Sequence, residues 1–151
     1  MSKPTNDDEW PMRLVFWDHP DGKQGEIELF SKVASKRGYA WVGCGSKASP
    51  CAELLVFKKG AKPRGYGIIQ VIDCIDRTSI EEEDFNQHRP KEEEIPYNLD
   101  KKKLLNPPYS KYYKMIGGKT LLIERMHIFD KNDSPIKNPI RDNLKVSVRV
   151  R

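Results

Sequence analysis

The clearest periodic pattern in the chain is helical and covers residues 22–37. Its apolar positions recur at spacings of three and four, on one face of a helix; they are Ile27, Phe30 and Ala34. Asp21 is predicted to cap the start of this helix, with Gln24 reaching back toward the cap. Gly38 stands where a left-handed residue commonly ends a helix. The pattern therefore predicts an amphipathic helix packed on a core.

Short apolar runs separated by turns predict the strands of a sheet. They occupy residues 13–17, 39–42, 54–57, 66–75, 120–129 and 144–150. Residues 58–65 are predicted to form a turn. A short second helix is predicted over 78–86, with Thr78 and Glu81 at capping-box spacing, and the proline-rich residues 87–110 are predicted to form a long loop.

This succession of elements predicts the fold class. Five or six strands with two or three helices are too few helices for a doubly wound parallel sheet, so we expect an α+β fold. The expected architecture is a small, mixed, barrel-like sheet flanked by two or three helices. A chain of 151 residues fits one domain. We expect a disordered N-terminal tail at residues 1–11 and a single domain at 12–151.

The charge distribution favours a polyanionic partner. The net charge is +5 and the isoelectric point is near 9.0, while the acidic residues concentrate between positions 81 and 94. Basic residues gather instead at 32–47, 58–64, 101–119 and 131–151. Segregated positive charge of this kind is typical of nucleic-acid-binding proteins, although a solvated, lysine-rich surface is the competing interpretation.

Several function classes are disfavoured by composition. The three cysteines and three histidines are not spaced as a zinc site or a disulfide framework, so neither a metal nor a cofactor is expected. No stretch approaches the roughly 18 apolar residues of a membrane span. The first ten residues lack the basic start and apolar centre of a secretory signal. We expect a monomer in the cytoplasm or nucleus, away from membranes.

Two aromatic features fit a pocket for a base extruded from its stack. Such a pocket needs flat walls around the ring and a few polar groups at its edge. Trp41 ends the strand after the first helix and is followed by a glycine-rich stretch. In residues 107–118, three tyrosines alternate with lysines, as in a stacking platform with phosphate contacts. The competing interpretations are a core tryptophan and a tyrosine-rich loop that packs over the sheet.

The order of these segments resembles the YTH domain, a reader of N6-methyladenosine within the PUA-like superfamily. The resemblance spans about residues 12–145. It rests on the strand and helix that lead to Trp41, on the segment Met115-Ile116-Gly117-Gly118, and on the pair Arg141-Asp142. The tryptophan that the family carries in the loop before the Met-Leu-Gly-Gly segment is absent here.

The resemblance implies a role for each matched position. Trp41 would be the first wall of an aromatic cage and Ile116 the third, while Tyr109 would replace the missing tryptophan, with Leu105, Tyr112 and Tyr113 as less favoured substitutes. Contacts to the base edge are expected from Asp18, His19, Val42 and Gly43, with the Val42 carbonyl accepting from the methylated amine. Phosphate contacts are expected from Lys47, Lys114, Lys119 and Arg141.

The resulting hypothesis is a binding protein, not an enzyme. It would hold a methylated base, N6-methyladenosine in RNA above all, in an aromatic cage. A reader of modified DNA bases of the EVE type, serving a restriction system, would look similar. An ASCH-like hydrolase of acylated nucleosides, using Lys47 and Glu53, is a rival from another class. A protein-interaction module built on the acidic helix at 79–85 and the proline-rich loop is another.

Overall fold

A computed structural model of the chain describes residues 12–17, 25–44, 51–58, 65–97, 99–123, 127–130, 132–135 and 148–150. The strands are β1 (Met12–Trp17), β2 (Ala40–Cys44), β3 (Glu53–Lys58), β4 (Gly65–Asp76), β5 (Lys111–Ile123), β6 (Ile128–Asp130) and β7 (Val148–Val150). The helices are α1 (Glu26–Arg37), α2 (Glu82–Gln87) and α3 (Lys101–Leu105), with 3₁₀ turns at Arg77–Ser79 and Glu92–Glu94. The predicted tail at 1–11 lies outside the described residues, as does most of the predicted strand at 144–150.

The described strands form one mixed sheet, and the fold is α+β as predicted. Their order is β2-β5-β4-β3-β1-β7-β6. Each adjacent pair among the first four strands is antiparallel, β1 runs parallel to β3, and β7 runs antiparallel to β1 and β6. No helix of the described residues is long and apolar enough to cross a membrane.

Helix α1 packs on one face of this sheet and makes the main core. Ile27, Phe30 and Ala34, the predicted apolar face, are all buried. Gly38 ends the helix with φ of +95°, and its N–H donates to the carbonyl of Ala34, as predicted. The predicted start is wrong, because Gly25 is the extended N-cap and the helix begins at Glu26. Asp21 and Gln24 lie outside the described residues.

The acidic segment after β4 is divided into two short elements. Ile80 is buried and extended, and it separates the 3₁₀ turn from α2. Glu81 is the N-cap of α2 and makes no side-chain cap hydrogen bond, so the predicted helix over 78–86 and its Thr78–Glu81 capping box are wrong. The burial of Ile80 accounts for the break, because its side chain packs in one apolar cluster with Trp41 and Phe85.

The proline-rich segment is more ordered than predicted. It contains α3, capped by the Asp100 carboxylate, which accepts from the Lys103 amide at 3.1 Å. Ile95, Leu99 and Leu104 are buried against the α1 side of the sheet. These three buried side chains hold the described part of the segment against the core, where a loop was predicted.

Strand β5 begins nine residues earlier than predicted and absorbs most of the tyrosine-rich segment. Tyr113 and Met115 face α1, while Tyr112 faces α2 on the opposite side of the sheet. Gly118 also faces α1, where a Cβ atom would lie 2.9 Å from both Met115 Cε and Ser31 Oγ. The predicted stacking platform at 107–118 is therefore mainly a buried strand, and Tyr109 alone of its tyrosines precedes it.

Candidate functional site

A small cavity lies at the edge of the sheet formed by β2. Its volume is about 30 Å³, enough for one or two water molecules. The residues that line it are Glu26, Phe30, Val42, Gly43, Arg89, Lys103, Leu104, Pro107 and Tyr109. Three of these, Val42, Gly43 and Tyr109, were predicted to bind a base, and the structure brings them together.

The ring of Tyr109 lies directly on the backbone of Gly43. A Cβ atom at Gly43 would be 2.1 Å from Cδ2 of that ring, so only glycine permits this contact. The edge of the ring also meets Tyr112, with centroids 6.5 Å apart and planes at 87°. Tyr109 follows two prolines in a stretch without helix or strand. A half-buried aromatic ring thus covers a bare piece of backbone beside the cavity.

The backbone at this edge presents Gly43 to the cavity. The N–H of Trp41 donates to the carbonyl of His88 at 2.9 Å, and the carbonyl of Trp41 accepts from Arg89 at 2.6 Å. The backbone of Trp41 therefore points away from β5. The backbone N–H and C=O groups of alternate residues in an antiparallel strand point to the same side. Those of Gly43 therefore also point outward, whereas those of Val42 point toward β5. The Val42 carbonyl, which was predicted to accept a hydrogen bond from the base, therefore points toward β5 and not toward the cavity.

Arg89 is the buried cation of the cavity. It is 6% exposed, and its guanidinium donates to the carbonyls of Trp41 and Leu104 at 2.6 and 2.7 Å. Its Nε has no hydrogen-bond partner, and the guanidinium lies 5.1 Å from the ring centre of Phe30. Burial lowers the pKa of Arg89 to about 10, so it keeps its charge at neutral pH. Arg89 could not be predicted from the sequence, because a lone arginine before a proline carries no pattern.

Trp41 does not line the cavity. Its ring is 2% exposed and packs with Ile80, Phe85 and Tyr112, while Tyr39 meets its edge at 5.6 Å and 79°. The competing interpretation of Trp41 as a core residue therefore describes its position in this structure. The physical reason is that α2 covers the face of β2 to which Trp41 points. Its indole Nε1 is buried without a hydrogen-bond partner.

Ile116 is also separate from the cavity. It is 45% exposed and lies at a register shift between β4 and β5, where it has no partner across the ladder. Ile72 is unpaired at the neighbouring shift and is exposed to a similar degree. The expected cage of Trp41, Tyr109 and Ile116 is thus not assembled, and of the three only Tyr109 stands at the cavity.

The described lysines of the predicted phosphate set lie on the sheet face away from α1. Lys114 Nζ stands 4.1 Å from the centre of the Tyr39 ring and 5.6 Å from that of Trp41. Lys119 lines an open groove of about 210 Å³ with Glu53, Ile68, Gln70 and Gly118. Asp18, His19, Lys47 and Arg141 lie outside the described residues. Glu53, the carboxylate of the rival hydrolase, belongs to the groove and not to the cavity.

Tyr39, His88 and Asp84 form a network of contacts next to the site. Tyr39 stacks on His88 with centroids 3.7 Å apart, and both side chains hydrogen-bond to the carboxylate of Asp84. Burial, with the contact to Asp84, raises the pKa of Tyr39 to about 12. The network holds His88, which is the residue before Arg89 in the chain. Among the described residues, no group of His, Cys, Asp and Glu could hold a metal ion.

No protein-family model, curated protein or solved structure matches the chain.

Proposed function

We propose that the chain binds nucleic acid, RNA in preference to DNA, and holds one extruded, methylated base at the cavity beside Gly43. The observation that carries the proposal is the Tyr109 ring lying on the bare backbone of Gly43, next to the buried cation Arg89. A base ring is as flat as the tyrosine ring and can stack against it. N6-methyladenine is the base that we propose.

Tyr109 has to move for a base to enter. The cavity of about 30 Å³ is too small for a purine, but the ring that covers it belongs to a segment without helix or strand. Lifting the ring opens a slot with Tyr109 on one side and the Gly43 backbone on the other. The stacking of one base on an aromatic side chain is worth about 1–3 kcal/mol, which offsets a few kcal/mol of unstacking.

The polar groups at the slot suit the edge of a base. The outward-facing carbonyl of Gly43 would accept the remaining hydrogen of a methylated exocyclic amine, and Phe30 and Leu104 would surround the methyl group. Arg89 would hold this edge of β2 in place through the Trp41 and Leu104 carbonyls. Lys103 and the lysines of β5, together with the excess of positive charge, would contact phosphates without reading sequence.

The proposal extends to the architecture of the whole chain. We propose that the sheet is curled into a PUA-like barrel of the YTH/EVE type. Its mixed order, with a parallel β1–β3 pair beside four antiparallel strands and α1 packed on one face, supports this architecture.

Matched oligonucleotides test the proposal. Single-stranded RNA and DNA of one sequence, each with and without a central N6-methyladenine, are titrated at several salt concentrations and followed by fluorescence anisotropy. We expect the methylated RNA to bind most tightly, and the affinities for all four to fall with salt, since phosphate contacts release counterions. Equal affinity for methylated and unmethylated RNA would overturn base recognition. Binding without a salt slope would overturn the nucleic-acid interface.

A further inference from the structure

The sheet face opposite α1 carries a row of accessible side chains along the middle of β4. Ile69 and Val71 are buried on the α1 side. Because side chains alternate along a strand, the other residues of this stretch face away from α1; they are Ile68, Gln70 and Ile72. Ile68 and Gln70 line the groove of about 210 Å³. The row therefore consists of an amide between two aliphatic side chains.

Two adjacent β-bulges add exposed apolar surface to this face. The register shifts leave Ile72 of β4 and Ile116 of β5 without partners across the ladder, on either side of the Val71–Met115 pair. Their side chains are 48% and 45% exposed. Bulges re-aim side chains and are common beside functional sites. Exposed apolar residues that stand together next to a groove mark an interaction surface.

Opposite charges lie on the two sides of β4. Glu53 of β3 is the ladder partner of Gln70, and Lys119 of β5 is the ladder partner of Ile68. Both charged residues line the groove. Strands β3 and β5 are separated by β4, which puts them about 10 Å apart. A carboxylate therefore stands on one side of the row and an ammonium on the other.

We propose that this face binds a second copy of the chain, with the two sheets packed face to face about a two-fold axis that runs along β4. Rotation about this axis places Glu53 of each copy opposite the partner's Lys119, so that two ion pairs form. Residues on the axis meet their own copies, so Gln70 contacts the partner's Gln70 and Ile72 the partner's Ile72. An amide both donates and accepts, and two Gln70 side chains can therefore satisfy each other.

The shape and charge of the face favour a second copy over other occupants. Small-molecule sites have volumes of roughly 300–1,000 Å³, larger than this groove. Asp73 and Lys114, which pair across the ladder beyond the bulges, add one charge of each sign to those of Glu53 and Lys119. A partner of one sign would gain little net attraction from such a face. Sheets packed face to face keep their strand directions within about 30°, which fits an axis along β4.

The dimer leaves the candidate base-binding cavity accessible. That cavity lies at the β2 edge and is lined by residues of α1 and α3, on the other side of the sheet. Lys119 would meet the partner's Glu53, so the phosphate contacts of β5 would fall to Lys111 and Lys114. The dimer needs no nucleic acid, and this inference is therefore independent of the proposed function.

Sedimentation equilibrium with charge-reversed variants tests the proposal. We expect the wild type to show a reversible equilibrium between monomer and dimer over a concentration series. Glu53→Lys and Lys119→Glu, each checked for folding by circular dichroism, should each weaken dimerisation by about 10-fold or more, because like charges then face each other at both pairs. An equimolar mixture of the two variants should recover the wild-type affinity, since each variant then meets the opposite charge on the other.

Two control variants make the same changes of charge elsewhere. Glu93→Lys and Lys101→Glu lie at exposed positions outside the groove and should dimerise as the wild type does. A wild type that stays monomeric at every concentration would overturn the proposal and leave the groove to a different ligand. Single variants that dimerise as tightly as the wild type would also overturn it. So would a mixture that associates no better than either variant alone.

Discussion

Gly43 and Tyr109 show how one missing side chain shapes a candidate site. Any β-carbon at Gly43 would collide with the ring of Tyr109, so the close approach of ring and backbone depends on glycine at this position. The Trp41 ring, by contrast, is enclosed by Ile80, Phe85 and Tyr112. At the scale of residues, the candidate site therefore depends on Tyr109 and on the exposed backbone beside it.

Replacing Tyr109 tests that dependence. Tyr109→Ala should weaken binding of methylated RNA by about 1–3 kcal/mol, or roughly 5- to 150-fold, because one stacking surface is lost. Unmethylated RNA should lose much less. Anisotropy titration measures both, and circular dichroism checks that the variant is folded.

Tyr97→Ala is the matched control, because Tyr97 is 93% exposed. It should bind both RNAs as the wild type does. If Tyr97→Ala and Tyr109→Ala behaved alike, the ring of Tyr109 would be a packing group and not a base contact.

Individual aromatic residues were the hardest positions to predict. A tryptophan in a short apolar run has the same sequence signature whether it lines a pocket or fills a core. Burial decided the question for Trp41, because the short helix α2 covers its face of β2 and nothing in the local sequence indicates that contact. Tyr109 and Gly43 could be predicted as neighbours only through the family resemblance, since 65 positions separate them along the chain.

At the scale of secondary-structure elements, an ion pair connects the end of α1 to the segment that follows α2. Arg37 donates to both carboxylate oxygens of Glu94 at 2.8 Å and also to the carbonyl of Arg89 at 3.1 Å. Lys36 lies 3.7 Å from the same carboxylate. Arg37 thus links the end of α1 both to Glu94 and to Arg89, which lines the cavity.

Acid should weaken the ion pair between Arg37 and Glu94. Burial raises the pKa of Glu94. The hydrogen bonds from Arg37 and from the Lys91 amide lower it by more than burial raises it, so the net shift is downward. A carboxyl whose pKa is depressed on folding contributes stability above its unfolded pKa, about 4.3, and loses it as the pH falls through the folded value. Glu94→Gln should therefore lower the free energy of unfolding at pH 7 by roughly 1–2 kcal/mol.

Urea denaturation at several pH values measures the effect. The difference between wild type and Glu94→Gln should shrink as the pH falls below about 4.3. Glu93→Gln, at an exposed neighbouring position, is the control and should change little at any pH. A Glu94→Gln deficit that is the same at pH 7 and pH 3 would show that ionisation of Glu94 does not contribute.

The elements were predictable where a pattern was long and local. The buried face and the glycine end of α1 were correct, because both depend on spacing within a dozen residues. The capping box at Thr78 and Glu81 failed, since a tertiary contact of Ile80 outweighs a local preference. Strand β5 was predicted to begin at residue 120 and instead begins at Lys111, because the tyrosines that suggested a platform alternate between the two buried faces of the sheet.

For the molecule as a whole, the topology places the candidate site at one edge of the sheet. β2 stands at one end of the strand order, and α1, α3 and the segment before β5 meet there around the cavity. The groove with Lys119 lies elsewhere, on the outer side of β3, β4 and β5. A nucleic acid could contact both, but the proposed function places the base at the cavity alone.

Backbone amide chemical shifts measured during an RNA titration test this claim most directly. The isotope-labelled chain is titrated with the N6-methyladenine RNA and with its unmethylated twin, and the two sets of shift changes are subtracted. We expect the methyl-dependent changes to centre on Gly43 and Tyr109, while Gly117 and Gly118 beside the groove respond equally to both RNAs. Methyl-dependent changes at Gly117 and Gly118, with Gly43 and Tyr109 unmoved, would contradict it.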